Sequence, residues 1–168
     1  MRSREDQIGV LFVCMGNICR SPVAEGLFLH LARERQVDDM FDVDSAGTGG
    51  WHAGERADRR ALAVARKHGV ELPSRARQVD PVRDWARFHH IIAMDRQNVQ
   101  DLLNVGAPSD RLRLLRSFDP ALAEAKGRAL DVPDPYYGDD EGFDAVFAMA
   151  THACKGLLEQ LLQARGAL

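Results

Sequence analysis

Cys14, Arg20 and Ser21 stand in the spacing C-x5-R-S, inside the segment LFVCMGNICRSP at residues 11–22. A thiol and a guanidinium at that interval suit a phosphate. Arginine offers an oxyanion two parallel, charge-assisted hydrogen bonds. A loop running from a strand into a helix turns several backbone N–H groups toward one point, and the helix dipole adds to them. The positive potential that holds phosphate also stabilises a thiolate, so Cys14 would be a ready nucleophile at neutral pH. Gly16 is expected to take a positive φ without a Cβ clash. The plainer reading, a buried strand-end cysteine beside an arginine that pairs a nearby acid, leaves Gly16, Asn17 and the start of the following helix unexplained.

Such a loop needs a strand before it and a helix after it. Ile8–Val13 is a nearly unbroken apolar run, as in a strand buried on both faces of a parallel sheet. Val23, Ala24, Leu27, Phe28, Leu31 and Ala32 then recur at helical spacing, with Ser21 expected as N-cap and Pro22 as first helical residue. Further strands are expected at Met40–Ala46, Phe88–Met94 and Leu112–Leu115. Helices are expected over Ala57–His68, ended by Gly69, from Asp95 with Val99, Leu102 and Leu103 on one face, and from Asp119-Pro120 to Gly127. Phe143, Val146, Phe147, Ala150, Cys154, Leu157, Leu158, Leu161 and Leu162 form the stripe of a last helix. Strands alternate with helices, so the class is α/β with a parallel sheet. Ligands of such sheets bind beyond the C-terminal strand ends, where Cys14, Ser45–Gly47 and Met94–Asp95 all fall.

The 168 residues read as one domain, residues 1–168, without repeat, linker or low-complexity tract. Apolar residues make up 45% and charged residues 28%, with a net charge of −3. Nothing basic in bulk points to nucleic acid or an anionic membrane, so an anion must be held by a local site. No run approaches a membrane span. Three unevenly spaced cysteines do not make a disulfide framework and fit a reducing, cytoplasmic setting. The six histidines show no metal-ligand spacing with them, so neither metal nor cofactor is expected.

VLFVCMGNICRSPVAEG closely resembles the low-molecular-weight protein tyrosine phosphatases. So do DSAGT at Asp44–Thr48, AMDRQN at Ala93–Asn98 and DPYYG at Asp134–Gly138. The resemblance spans nearly the whole chain. It implies a four-stranded parallel sheet with helices on both faces, Rossmann- or flavodoxin-like, and a metal-independent hydrolase acting on phosphotyrosine in proteins and releasing inorganic phosphate.

The implied mechanism has two displacements through a phosphocysteine on Cys14. Arg20 and the N–H groups of Met15, Gly16, Asn17, Ile18, Cys19 and Arg20 would hold the phosphoryl oxygens. Asp134 would be general acid and then base. Spacing alone reads Asp134 as a turn aspartate, and Asp131 is its nearest rival. Ser21 would donate a hydrogen bond to the thiolate. Asn17 would hold the loop open in a polar network with Ser45 and Asp95. Trp51, Tyr136 and Tyr137 resemble the aromatic walls of the family's substrate cleft, and each reads equally well as a half-exposed packing aromatic. Cys19 resembles the second thiol that traps the oxidised nucleophile in relatives, or is a small buried hydrophobe. Many relatives carry a histidine before the ARQ segment. Here that stretch is Ser74-Arg75-Ala76-Arg77-Gln78, so the supporting contact is lost or passes to Ser74 or Arg75.

Two other activities use the same loop. An arsenate reductase would need a further cysteine pair, and residues 70–100 contain none. A protein arginine phosphatase resembles this chain but carries threonine where Ile18 stands.

Overall fold

The structure, a computed structural model, describes residues 2–166. β1 (Ile8–Cys14) is buried at every position. Its side chains alternate between two layers, so an unbroken apolar run is what the position requires. Val10 and Phe12 belong to one core, Leu11 and Val13 to the other. β2 (Phe41–Gly47), β3 (His90–Ala93) and β4 (Leu112–Leu114) complete one parallel sheet in the order β2-β1-β3-β4. The chain steps from β1 to one side for β2 and returns across it for β3. The strand order therefore reverses beside β1, and a crevice opens beyond the strand ends there. Cys14 is the last residue of β1 and pairs in register with Gly47.

Helices cover both faces, as expected. α1 (Arg20–Glu34) and α5 (Asp140–Ala164) pack on one face around Phe12, Phe28 and Leu157, and α2 (Arg59–Lys67) lies against α5. α3 (Pro81–Arg87) and α4 (Arg96–Asn104) supply Trp85, Val99 and Leu102 to the core on the opposite face. Cys154 sits fully buried on the apolar stripe of α5. Close contact on that helix depends on Gly156, where an added Cβ would stand 1.8 Å from the Phe118 carbonyl oxygen. No helix among the described residues is long and apolar enough to cross a membrane.

Three sequence expectations need correction. Cys19, not Ser21, flanks the start of α1, and it makes no side-chain cap bond. Pro22 is then the third helical residue, where its missing N–H still costs nothing because the first four helical N–H groups have no intrahelical partner. Ser21 does not cap because its hydroxyl is used elsewhere, as described below. The helix expected from Asp119-Pro120 is only a 3-10 turn at Pro120–Leu122, and Gly127 opens a second such turn instead of closing a helix. Residues 120–130 are mostly exposed, so no buried face supports a longer helix there. Lastly, α3 was not expected. Its signal was present in Asp80-Pro81, where Asp80 accepts from the N–H groups of Val82 and Arg83.

Candidate active site

The loop from Cys14 to Arg20 is shaped by what its carbonyls do. Cys14 O accepts from Thr48 N (2.9 Å), Met15 O from Gly49 N (3.0 Å) and Ile18 O from Asp58 N (2.8 Å). A trans peptide holds its C=O and the next N–H in opposite directions. Anchoring those carbonyls outward turns the N–H groups of Met15, Gly16 and Cys19 the other way, into the hollow over Cys14. The N–H groups of Met15 to Cys19 donate to no other described residue. The left-handed residue of the loop is Asn17 (φ 58°), not Gly16. Asparagine tolerates that region because its short amide can bond locally. Gly16 is needed for room instead, since a Cβ there would come within 3.1 Å of the His52 ring.

The Asn17 amide is held in one orientation. Its Oδ1 accepts from Arg77 N (3.0 Å), so its Nδ2 donates to Ser21 Oγ (2.8 Å) and Ser45 Oγ (3.0 Å). Ser21, with an acceptor position filled, can point its proton at Cys14 Sγ, 3.0 Å away. Ser45 in turn donates a hydrogen bond to Glu25 Oε1 (2.6 Å). Ser74 donates to Glu25 Oε2 (2.6 Å). Of the two residues weighed as supports of the loop, Ser74 therefore joins the network through Glu25, while Arg75 reaches away to Gly54 O. Asp95 does not belong to this network, contrary to expectation. Sequence reasoning also missed Glu25, which lies in a helical stretch with nothing local to mark it.

Glu25 is 2% exposed. Burial pushes its carboxyl up from 4.5 to about 7, against the lowering effect of the Ser45 and Ser74 hydroxyls; Asp44 raises it further and Arg77 lowers it. The folded carboxyl therefore keeps its proton when the unfolded one has lost it. Its contribution to stability is complete below about pH 4.5 and is lost as pH rises through about 7. Glu25→Gln should remove that slope. Between pH 5 and 8 the stability difference should move in the variant's favour by on the order of 3 kcal/mol. Urea melts of both proteins across that range test this, and parallel pH dependences would refute it.

Arg20 is 3% exposed. Its Nη1 donates to Asp95 Oδ2 and to Val132 O (3.0 Å), and its Nη2 lies 3.6 Å from Asp134 Oδ2. Burial alone would lower the guanidinium's pKa, but Cys14, Asp95 and Asp134 outweigh it and hold the pKa above its ordinary value. Asp95 also caps α4 through Asn98 N (2.7 Å), so one carboxylate fixes both the arginine and a helix start. Asp134 is about one-third exposed. Asp131, its rival by sequence, is committed to Arg96 at 3.0–3.3 Å.

Cys14, Arg20 and Asp134 line one cavity of about 320 Å³ with Met15, Gly16, Ile18 and Cys19. Trp51, Tyr136 and Tyr137 form its outer walls. Trp51 and Tyr137 are largely exposed, so neither is a packing residue of the core. His52 also lines the cavity, its Nδ1 bound to Glu55 (2.8 Å). Nothing at sequence level marked it beyond its place next to Trp51. The Cys19 thiol is free, and burial pushes it up to about 12, with Asp58, Cys14 and Asp134 adding in the same direction.

Residues 9–166 match the family model described as low molecular weight phosphotyrosine protein phosphatase. The chain is 46% identical over 152 residues to the low molecular weight protein-tyrosine phosphatase A of Mycobacterium tuberculosis, covering 90% of each chain. A crystal structure of a protein tyrosine phosphatase from Entamoeba histolytica has a TM-score of 0.85 at 33% identity, over 95% of this chain and 99% of that one. The structure of a drosophila arginine phosphatase reaches 0.80 at 30% identity, over 90% and 96%.

Proposed function

This chain belongs to the low molecular weight phosphotyrosine protein phosphatase family, and on that premise we propose that it hydrolyses phosphotyrosine in proteins through a phosphocysteine on Cys14. The observation that carries the assignment is the meeting of a thiol and a guanidinium from one loop with a carboxyl from more than 100 residues further along the chain, around one hollow. The thiolate of Cys14 attacks phosphorus, and an S–P bond forms as the bond to the phenolic oxygen breaks. Asp134 gives its proton to that oxygen. Water then attacks the phosphocysteine, Asp134 takes a proton from it, and the S–P bond breaks to release phosphate and restore the thiolate. Arg20 and the inward N–H groups stabilise the equatorial oxygens as charge moves onto them. Ser21 donates to the thiolate, and Asn17 and Ser45 hold the loop in shape. Trp51, Tyr136 and Tyr137 flank the aryl ring, which favours a phenolic ester over a short aliphatic one.

Asp134→Ala should slow release of a poor leaving group such as phenol by about 100- to 1,000-fold. Release of para-nitrophenol, which needs little help from an acid, should slow far less. Values of kcat/KM on phenyl and para-nitrophenyl phosphate, which report the first displacement and not the shared water step, decide it, and equal slowing of both would remove Asp134 as the acid. The arginine phosphatase neighbour shows that this fold also serves a P–N bond, so phosphotyrosine and phosphoarginine peptides should be compared directly. The buried Ile18 side chain at the cavity supports the tyrosine reading.

Cys19 stands on the same loop as Cys14. Should Cys14 be oxidised to a sulfenic acid, condensation with the Cys19 thiol would form a disulfide, release water and spare Cys14 irreversible oxidation. Three free thiols suit a reducing compartment such as the cytoplasm.

A further inference from the structure

The segment carrying Asp134 is fastened unevenly. Upstream, Val132 N donates to Met94 O (2.8 Å), Val132 O accepts from Arg20, and Asp131 is bound by Arg96. From residue 134 to 138 the chain makes a tight turn with two internal bonds, Tyr136 N to Asp134 Oδ1 (3.1 Å) and Gly138 N to Pro135 O (3.0 Å). Among the described residues, every hydrogen bond that enters this turn from outside comes from one side chain. Arg60 Nη2 donates to Tyr136 O (2.9 Å) and Arg60 Nη1 to Gly138 O (3.0 Å).

Arg60 is well placed to act as a rigid arm. Asp58 grips its guanidinium through Oδ1 on Nε (3.0 Å) and Oδ2 on Nη2 (3.1 Å). The guanidinium carbon lies 4.4 Å from the Phe143 ring centre, at the start of α5, and 5.9 Å from that of Tyr136. Asp58 caps α2 and donates its own N–H to Ile18 O in the phosphate loop. One short path therefore runs from the loop under the substrate, through Asp58 and Arg60, to the turn above it. Arg60 itself does not line the cavity that holds Cys14.

We propose that Arg60 is a positioning residue for the general acid: it clamps the 134–138 turn over the phosphate loop. By fixing the Tyr136 carbonyl it restrains the residue whose own N–H, in the preceding peptide unit, occupies Asp134 Oδ1. That leaves Oδ2, on the Arg20 side, for the leaving oxygen. Without the clamp the turn keeps only its flanking attachments and the 3.6 Å approach of Asp134 to Arg20, and small errors in placing a proton donor cost rate steeply. The clamp touches neither phosphate nor nucleophile, so it acts only where Asp134 moves a proton, and kcat/KM, which reports the first displacement, isolates its effect on the acid step. This inference rests on the assignment of Asp134 as that acid.

The test compares Arg60→Ala, Arg60→Lys, Asp134→Ala and the double variant Arg60→Ala/Asp134→Ala on a series of aryl phosphates of rising leaving-group pKa. Tungstate affinity and iodoacetate alkylation of Cys14 report whether the loop is intact. Arg60→Ala should lower kcat/KM for phenyl phosphate by about 10- to 100-fold, with a much smaller loss on para-nitrophenyl phosphate. Tungstate binding and alkylation should stay as in the native protein. Arg60→Lys, able to reach one carbonyl and not both, should fall between. In the Asp134→Ala background, Arg60→Ala should add nothing. Equal slowing of all esters by Arg60→Ala and Arg60→Lys, or losses that multiply in the double variant, would overturn the clamp while Asp134 keeps its role. A flat leaving-group dependence in Asp134→Ala would instead remove the acid, and the clamp with it.

Discussion

Cys14→Ser should abolish turnover, with hydrolysis of para-nitrophenyl phosphate reduced by at least about 10,000-fold. A hydroxyl in place of the thiol cannot ionise near neutral pH, and the site offers no base to activate it. Ser21 is committed to the network, and Asp134 is placed for the far side of the reacting phosphorus. The change is small in volume at a position 2% exposed, so the fold should survive. The cradle of outward-anchored carbonyls does not depend on sulfur, so tungstate should still bind. A variant that binds but does not turn over is also a substrate trap. It should retain tyrosine-phosphorylated proteins from a lysate, and tungstate should elute them. Residual activity of a few per cent or more, after contaminating phosphatases are excluded, would end the phosphocysteine mechanism.

Arg20→Lys should lower kcat by about 1,000-fold or more and raise KM as well. A lysine keeps the charge but loses the planar fork that binds two oxygens at once. The fork has a second duty here, because Nη1 is already given to Asp95 and Val132 O. An ammonium that pairs Asp95 has little left for phosphate, and one that turns to phosphate leaves Asp95 short of its partner. Arg20→Ala is a poorer test, since it strands a largely buried carboxylate and can cost about 3–5 kcal/mol of stability. Thermal melts alongside the kinetics separate the two effects. A lysine variant within about tenfold of native kcat would show that Arg20 serves mainly to hold Asp95.

The parts of this architecture that could be read from sequence are those whose cause is local. β1 declares itself because a strand buried on both sides must be apolar throughout. Cys14 and Arg20 declare themselves because the loop between strand and helix needs both within a few residues. What stayed hidden depends on partners far away in the chain. Glu25 looks like any helical glutamate until Ser45 and Ser74 close around it. Arg60 is one of several arginines in its stretch, and only the fold brings it to the Tyr136 and Gly138 carbonyls. Ser21 reads as a cap from sequence because serine suits the N-cap and proline the first turn; tertiary structure gives its hydroxyl to Cys14 instead. Asn17 rather than Gly16 took the left-handed position because its amide is held from two sides by Arg77, Ser21 and Ser45. A glycine would gain nothing there, whereas residue 16 needs the space beside His52.

The outward anchoring of the loop carbonyls also sets when the enzyme comes alive. Thr48, Gly49, Asp58 and Arg77 all follow the loop in the chain, and all must be in place before its amides converge. A ribosome-bound fragment that stops before residue 77 would contain every residue of C-x5-R-S and still lack a partner that holds the loop in shape.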